Sequence, residues 1–246
     1  KAFHLPFPLK PPPRFQRLTA LLSLEQIKEI ASEKGVSITV FLIAVYLHVL
    51  QEIYEKQGTL NKIRRNKILR VQVPVNLRNI FPSRTMRNFS LFVMPEIDLR
   101  LGHYTFDELI KTVYHQVQLE TDKKLINKNI SRNVGSERKI YVRSIPLVLK
   151  SWILRMKYYA LGTSQYSGVV TNLGRIDLPP ETADKVGYFV VVPPPPNKML
   201  KINLGIVGFR DQLVMSFGYI TVSRDFENRF IQFLRDRHIS VELEKS

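Results

Sequence analysis

The sequence has no cysteine and few acidic residues, with 21 Asp and Glu against 37 Lys and Arg in 246 residues. The absence of thiols excludes disulfides, thiolate metal sites and a cysteine nucleophile. It also fits a reducing compartment, and we expect a cytoplasmic location. The formal net charge of +16 favours anionic partners, such as a phosphorylated cofactor, nucleic acid or an anionic membrane surface.

Long apolar runs are also lacking. The most apolar stretch, residues 36–50, is shorter than the roughly 18–20 residues that cross a bilayer, and His48 lies within it. We therefore predict a buried helix and no transmembrane segment. The first residues are followed by prolines where a signal peptide has its apolar core. Since the sequence begins without methionine, we expect it to be a processed chain or part of a longer polypeptide.

Motifs for metal or phosphate binding are missing as well. Gly205 and Gly208 lie in a strand pattern, and no Gly-Lys-Ser or Gly-Lys-Thr follows them. The acidic residues do not cluster in a metal-binding pattern. We predict no metal site and no tightly bound cofactor.

The most informative segment spans residues 71–100. A first strand places Val71, Val73, Val75 and Leu77 on one face and Gln72, Asn76 and Arg78 on the other. A second strand, residues 89–97, is apolar on both faces and is predicted to be buried. The basic loop between them carries Arg78, Arg84 and Arg87.

The remaining patterns predict a mixed β-sheet flanked by helices, an α/β (α+β) fold. The first predicted helix, 24–34, has a Ser23–Gln26 capping box at its start and Gly35 at its end. A Thr105–Glu108 capping box opens another helix. The remaining predicted helices are 38–55, part of 123–143, 147–160 and one after Ser223. Predicted strands are 167–171, 186–192, 201–209 and 212–221. Residues 1–18 are assigned to a proline-rich linker or strap and residues 19–246 to one domain.

Four segments carry a family resemblance in the correct order along nearly the whole chain. Residues 20–55 resemble the stretch that opens the second half of CoA-dependent acyltransferases. Residues 87–100 resemble a condensation-domain segment, with Asn88 where glycine is usual. Val-Val-Thr-Asn-Leu-Gly at 169–174 resembles the Ser-Asn-Leu-Gly strand end of alcohol acetyltransferases, and residues 215–226 resemble the last strand and helix. Together they resemble the CoA-dependent acyltransferase superfamily, which includes the condensation domains of nonribosomal peptide synthetases.

The resemblance implies the C-terminal lobe of a two-lobed, chloramphenicol-acetyltransferase-like fold. That superfamily uses a His-His-x-x-x-Asp-Gly motif, whose histidine takes a proton from the alcohol or amine that attacks a thioester. The histidines here are His4, His48, His103, His115 and His238. None is adjacent to another or followed by Asp-Gly at that spacing, so we predict surface or packing roles. With no catalytic residue of its own, the lobe is expected to be inactive alone and to pair with an N-terminal lobe of the same polypeptide or with a second copy.

The resemblance also implies substrate-binding residues. Thr171, Asn172 and Gly174 would lie near the channel between lobes, where a hydroxyl and an amide orient the thioester; the alternative is a simple turn after a strand. The expected donor is acyl-CoA or a phosphopantetheine carrier. Arg78, Arg84 and Arg87 would bind CoA phosphates, or else form a solvated basic loop.

A second interpretation treats the chain as a non-enzymatic module that binds an anionic partner or self-associates. The basic stretch at 123–143 is the feature that suggests it. Nucleic acid is disfavoured as that partner, because Tyr141 alone supplies an aromatic ring there.

Overall fold

The computed structural model describes residues 1–58, 66–86, 88–138 and 144–244. Its strands are β1 (Gln16–Ser23), β2 (Ile68–Asn76), β3 (Ser90–Val93), β4 (Glu96–Asp98), β5 (Gly168–Ile176), β6 (Ile202–Phe209), β7 (Gln212–Tyr219) and β8 (Val241–Leu243). They form one sheet in the order β3-β2-β5-β6-β7-β1-β8, with β4 also paired to β2. The pairs β2–β5 and β5–β6 are parallel and the others antiparallel. The predicted mixed sheet with flanking helices is confirmed.

The helices follow the predicted positions closely. They are α1 (Leu24–Glu33), α2 (Ile38–Glu55), α3 (Phe106–Glu120), α4 (Lys123–Arg138), α5 (Leu147–Leu161), a short α6 (Pro180–Ala183) and α7 (Asp225–Arg235). The predicted Thr105–Glu108 capping box forms at the start of α3. Residues 139–143, the end of the predicted basic helical stretch, lie outside the described part of the chain.

One predicted cap forms only in half. The Ser23 hydroxyl accepts a hydrogen bond from the Gln26 backbone N–H at 3.3 Å, as expected for an N-cap. The Gln26 side chain does not return to Ser23; its Oε1 instead accepts from the Ser240 N–H at 2.8 Å. The predicted return bond from Gln26 to Ser23 was therefore wrong, because the Gln26 side chain forms a long-range hydrogen bond with Ser240, next to β8. Gly35 ends the helix in the left-handed region, with φ of 67°.

Helix α2 is the centre of the core. Its Phe41, Leu42, Tyr46, Leu47 and Leu50 side chains are fully buried. By length and composition α2 is the one helix among the described residues that could span a membrane, yet 72% of that window is buried inside the protein. Such burial is typical of a core helix. The predicted inward face of α7 is confirmed as well, and it consists of Phe226, Phe230 and Leu234.

Two strand predictions were wrong. Residues 89–97 form two short strands, β3 and β4, and Phe92 is 54% exposed. The reason is that β3 is the edge strand of the sheet and Pro95 interrupts the run; an edge strand needs no second buried face. Residues 186–192 form no strand because they cross over a face of the sheet. Val191 lies so close to β6 that a Cβ on Gly205 would meet its carbonyl oxygen at 2.5 Å.

The N-terminal segment contributes to the core. Ala2, Phe3 and Leu5 are buried, and the Phe3 N–H donates to the Ile68 carbonyl at 2.8 Å. Strand β1, which the sequence patterns did not predict, begins at Gln16, inside the range assigned to a linker. Whether residues 1–18 also connect to a second lobe stays a prediction.

Candidate functional site

Strands β2 and β5 separate soon after they meet. Their register includes only the pairs Val71–Gly168 and Gln72–Val169. Beyond it, β2 pairs with β3 on one side and β5 pairs with β6 on the other. We call the resulting opening the β2–β5 cleft and define it by five residues that line both of its cavities. These are Pro74, Val75, Asn76, Asn172 and Leu173.

The point of separation is fixed by close packing against the core helix. A Cβ on Gly168 would meet the hydroxyl oxygen of Tyr46 at 2.0 Å, so only glycine fits there. The Tyr46 hydroxyl itself donates to the Ile202 carbonyl at 2.9 Å. The start of β5 is therefore held between α2 and β6, while its end is left at the cleft.

Two cavities occupy the cleft at the carboxyl ends of this parallel pair. The cavity on the helix side has a volume of about 290 Å³ and is also lined by Thr39, Ile43 and Val117. The other has a volume of about 450 Å³ and reaches Phe92 and Pro194. Crevices where parallel strands diverge at their carboxyl ends are the usual ligand sites of open α/β sheets.

Asn172 is held by two hydrogen bonds. Its Nδ2 donates to the Thr39 hydroxyl of α2 at 2.9 Å, and its Oδ1 accepts from the Gly174 N–H at 2.8 Å. Gly174 has a φ of 76°, in the left-handed region. Both residues lie within β5, where its register with β6 shifts between Asn172 and Arg175. They therefore form an irregularity inside the strand, not a turn after it, and the same residues form a wall of the cleft.

Thr171 provides a hydroxyl without a partner. Its Oγ1 is buried and forms no hydrogen bond with any described residue. Thr171 lines the larger cavity. Buried hydroxyls are nearly always satisfied, so this oxygen is the clearest candidate for a ligand contact in the cleft.

The three candidate arginines are placed differently. Arg78 lines the larger cavity, and its Nη2 donates to the Thr85 carbonyl at 2.9 Å, which braces the following loop. Arg84 is exposed on that loop and lines neither cavity of the cleft. Arg87 lies outside the described residues. The structure therefore brings Arg78 together with Thr171 and Asn172.

Three residues of the larger cavity were missed as candidates. Asn76 and Asn88 bring amide side chains and Phe92 brings an apolar ring. The Asn76 Oδ1 accepts from the Arg78 N–H at 3.1 Å, and the Asn88 Oδ1 accepts from the Ser90 hydroxyl at 2.9 Å. The sequence did indicate Asn76, because it is a polar residue at the end of the first strand. No sequence pattern indicated Phe92, because its exposure depends on the position of β3 at the sheet edge.

The histidines lie elsewhere. All five are among the described residues, and none lines the cleft. His48 packs between Phe106 and Phe233, with ring centroids 5.8 and 4.8 Å away, and burial lowers its pKa. His103 bonds Glu55 through Nδ1 at 2.7 Å. Within the described part of the chain, no three His, Asp or Glu side chains are grouped to hold a metal ion.

Comparison with known proteins identifies the fold of this chain. No protein-family model and no curated protein matches the sequence. Among solved structures, the epimerization domain from the third module of tyrocidine synthetase B matches 96% of this chain with a TM-score of 0.58 and 12% identity. The chain has the fold of one lobe of this epimerization domain, and the alignment covers 51% of that chain. The resemblance predicted from the sequence is thereby confirmed at the level of the fold.

Two further structures agree with this lobe assignment. The EpoB cyclization-docking bidomain from Sorangium cellulosum matches with a TM-score of 0.57 and 15% identity. The condensation domain that mediates chain release from the enacyloxin polyketide synthase matches with a TM-score of 0.53 and 12% identity. Each alignment covers 96% of this chain but 45% and 43% of those chains. This lobe therefore spans about half the length of these three structures.

Proposed function

We propose that this chain is the C-terminal lobe of an acyltransferase that moves an acyl group from CoA or a carrier thioester to a hydroxyl or amine. The β2–β5 cleft holds the pantetheine arm of the donor. The observation that carries the proposal is the separation of β2 and β5. It opens a cleft between polar side chains at the carboxyl ends of two parallel strands.

The chemistry of the larger cavity suits a pantetheine arm. That arm is narrow and apolar, and two amide groups interrupt it. Phe92 and Val75 supply apolar walls, and Asn76 and Asn88 supply amides. The buried hydroxyl of Thr171 supplies a donor that finds an acceptor in a carbonyl of the arm. A volume of about 450 Å³ falls within the range of small-molecule sites, roughly 300–1,000 Å³.

The adjoining basic loop suits the phosphates of CoA. Arg78 extends from the cleft to the loop through its bond with the Thr85 carbonyl. Arg84 is exposed on the same loop. Guanidinium groups form paired hydrogen bonds with phosphate oxygens. Arg84 is then a phosphate contact at the entrance, whereas Arg78 orients the loop.

The lobe supplies binding and orientation and leaves proton transfer to its partner. No histidine lines the cleft among the described residues, and the sequence contains no His-His-x-x-x-Asp-Gly motif. The general base then comes from an N-terminal lobe or a second copy. The chain alone is expected to bind a thioester without turning it over.

Calorimetric titration with S-acetyl-pantetheine and with acetyl-CoA tests the proposal. We expect both to bind, acetyl-CoA more tightly and with an affinity that falls with salt, because phosphate contacts are screened. Thr171→Val should weaken both ligands, and Arg84→Ala should weaken acetyl-CoA alone. Thr19→Val is the matched control, since Thr19 is a buried threonine on β1 that lies outside the cleft, near Glu244.

Two results would contradict the proposal. If Thr171→Val and Thr19→Val behave alike, the cleft is not the site. If acetyl-CoA binds only at low salt and S-acetyl-pantetheine does not bind, the contact is with phosphate alone. That second result would favour the alternative function, a module that recognises an anionic partner.

A further inference from the structure

Helix α5 (Leu147–Leu161) presents large apolar side chains to solvent over most of its length. Val148 is 84% exposed, Trp152 is 60% exposed and Met156 is 54% exposed. These three residues are spaced four apart, so they lie on one face of the helix, and Leu149 extends that face. Contiguous exposed apolar surface of this kind marks an interaction site.

The charges of the same helix are all positive. Lys150, Arg155 and Lys157 are its only ionisable groups apart from tyrosine, and residues 139–176 contain no Asp or Glu. None of the three has an ion-pair partner among the described residues. They are therefore available to an anionic partner.

Two of the three cations lie together on one side of the helix, and the third lies within its apolar surface. At 3.6 residues per turn, Arg155 follows one edge of the stripe formed by Val148, Trp152 and Met156, while Lys150 and Lys157 lie together beyond the opposite edge. Beyond Arg155, Leu147 and Leu154 are also exposed, at 78% and 56%, so apolar surface covers most of the helix except the side of Lys150 and Lys157. A helix with a tryptophan on its apolar side and cations on its polar side is typical of helices that lie in a membrane interface.

We propose that α5 docks this lobe on an anionic lipid membrane. The apolar stripe enters the boundary between headgroups and acyl chains, and the three cations contact lipid phosphates. A second copy of this chain suits this helix less well, because each copy brings the same three cations and a net charge of +16. The net charge of +16 adds long-range attraction to the same surface. The proposal rests on α5 alone and is independent of the cleft.

Trp152 is the only tryptophan in the chain, so its fluorescence reports on α5 directly. We expect a blue shift and co-sedimentation with vesicles of phosphatidylcholine mixed with phosphatidylglycerol, and neither with phosphatidylcholine alone. Added salt should reverse both. Because each cation near an anionic surface contributes roughly fivefold to partitioning, Lys150→Gln with Lys157→Gln should weaken binding by more than tenfold.

Two variants separate charge from apolar contact. Lys28→Gln with Lys198→Gln removes the same charge from exposed positions elsewhere and should leave vesicle binding nearly unchanged. Leu149→Gln with Met156→Gln keeps the charge and the helix propensity of α5 and should abolish the blue shift.

Three outcomes would overturn the proposal. The first is absence of vesicle binding at low salt. The second is equal binding by the two lysine double variants, which would mean that net charge alone is responsible. The third is a blue shift that needs no vesicles and grows with protein concentration, since that result would assign the helix to a contact between copies of the chain.

Discussion

The side-chain amide of Asn172 donates a hydrogen bond of 2.9 Å to the hydroxyl of Thr39. This contact joins the middle of β5 to the first turn of α2, the most deeply buried helix of the lobe. Because Asn172 also accepts from the Gly174 N–H, one side chain fixes the irregular part of the strand and attaches it to the core. One wall of the β2–β5 cleft is therefore held rigidly before any ligand arrives.

Asn172→Ala should lower the free energy of unfolding by about 1–3 kcal/mol, because two hydrogen bonds of a partly buried amide are lost. Asn172→Asp keeps the acceptor for Gly174 but not the donor to Thr39, and should lie between the wild type and the alanine variant. Urea unfolding measures both. Asn228→Ala, an exposed change on α7, is the control, and an equal loss in that variant would contradict the assigned role.

Gly174→Ala should destabilise the lobe by about 1 kcal/mol, since its φ of 76° is strained for a residue with a Cβ. Space is not the cause, because no atom lies within 4 Å of a Cβ built there. Gly187→Ala has equally open surroundings without a positive φ. Equal midpoints for the two variants in urea unfolding would count against the strain.

Glu227 carries the most perturbed carboxyl group. It is completely buried on α7. Burial raises its pKa to about 7, although a hydrogen bond from its own backbone N–H acts in the opposite direction. In the unfolded chain the carboxyl ionises near pH 4.5. Between these two values the folded state retains a proton that the unfolded state has lost, so stability falls as pH rises and levels off above about pH 7.

Glu227→Gln removes this titration. The variant should gain stability relative to the wild type between pH 4.5 and 7, reaching about 3 kcal/mol more at pH 8 than at pH 4. Urea unfolding at several pH values measures the difference. Glu181→Gln, the same chemical change on exposed α6, serves as the control. A stability difference that does not change with pH would show that the Glu227 carboxyl does not retain its proton in the folded protein.

Local patterns were enough to predict much of the fold. Helix α2 has the predicted bounds, and α7 buries the predicted Phe226 and Phe230, because a helix is encoded by residues one turn apart. The edge position of β3 and the path of residues 186–196 across the sheet depend on distant neighbours, which no local pattern contains. Strand β1 was missed for the same reason: it gains its place from pairing with β7.

The candidate site, too, was only partly predictable from the sequence. Arg78 and Thr171 are far apart in sequence, and only the family resemblance indicated that they belong to one site. Their meeting at the cleft follows from the parallel pairing of β2 with β5. Asn88 and Phe92 were missed because their place in the cavity depends on the edge strand, which was predicted to be buried.

Phe92→Ala should weaken S-acetyl-pantetheine binding severalfold with little loss of stability. The ring is 54% exposed and lines the larger cavity, so it contributes more to a ligand than to the core. Calorimetry and urea unfolding of the same variant separate the two effects. Leu101→Ala, at a more exposed site outside both cavities, is the control. Unchanged affinity in Phe92→Ala would remove the ring from the site.

The most direct test of the central claim is nuclear magnetic resonance with a pantetheine that carries a nitroxide on its sulfur. The nitroxide broadens the signals of nearby backbone amides. The proposed site predicts strong broadening at Val75, Asn172 and Leu173, which weakens across the sheet toward β8, four strands away from β5. Uniform weak broadening, or broadening centred away from the β2–β5 cleft, would contradict the proposal that this cleft holds the acyl carrier.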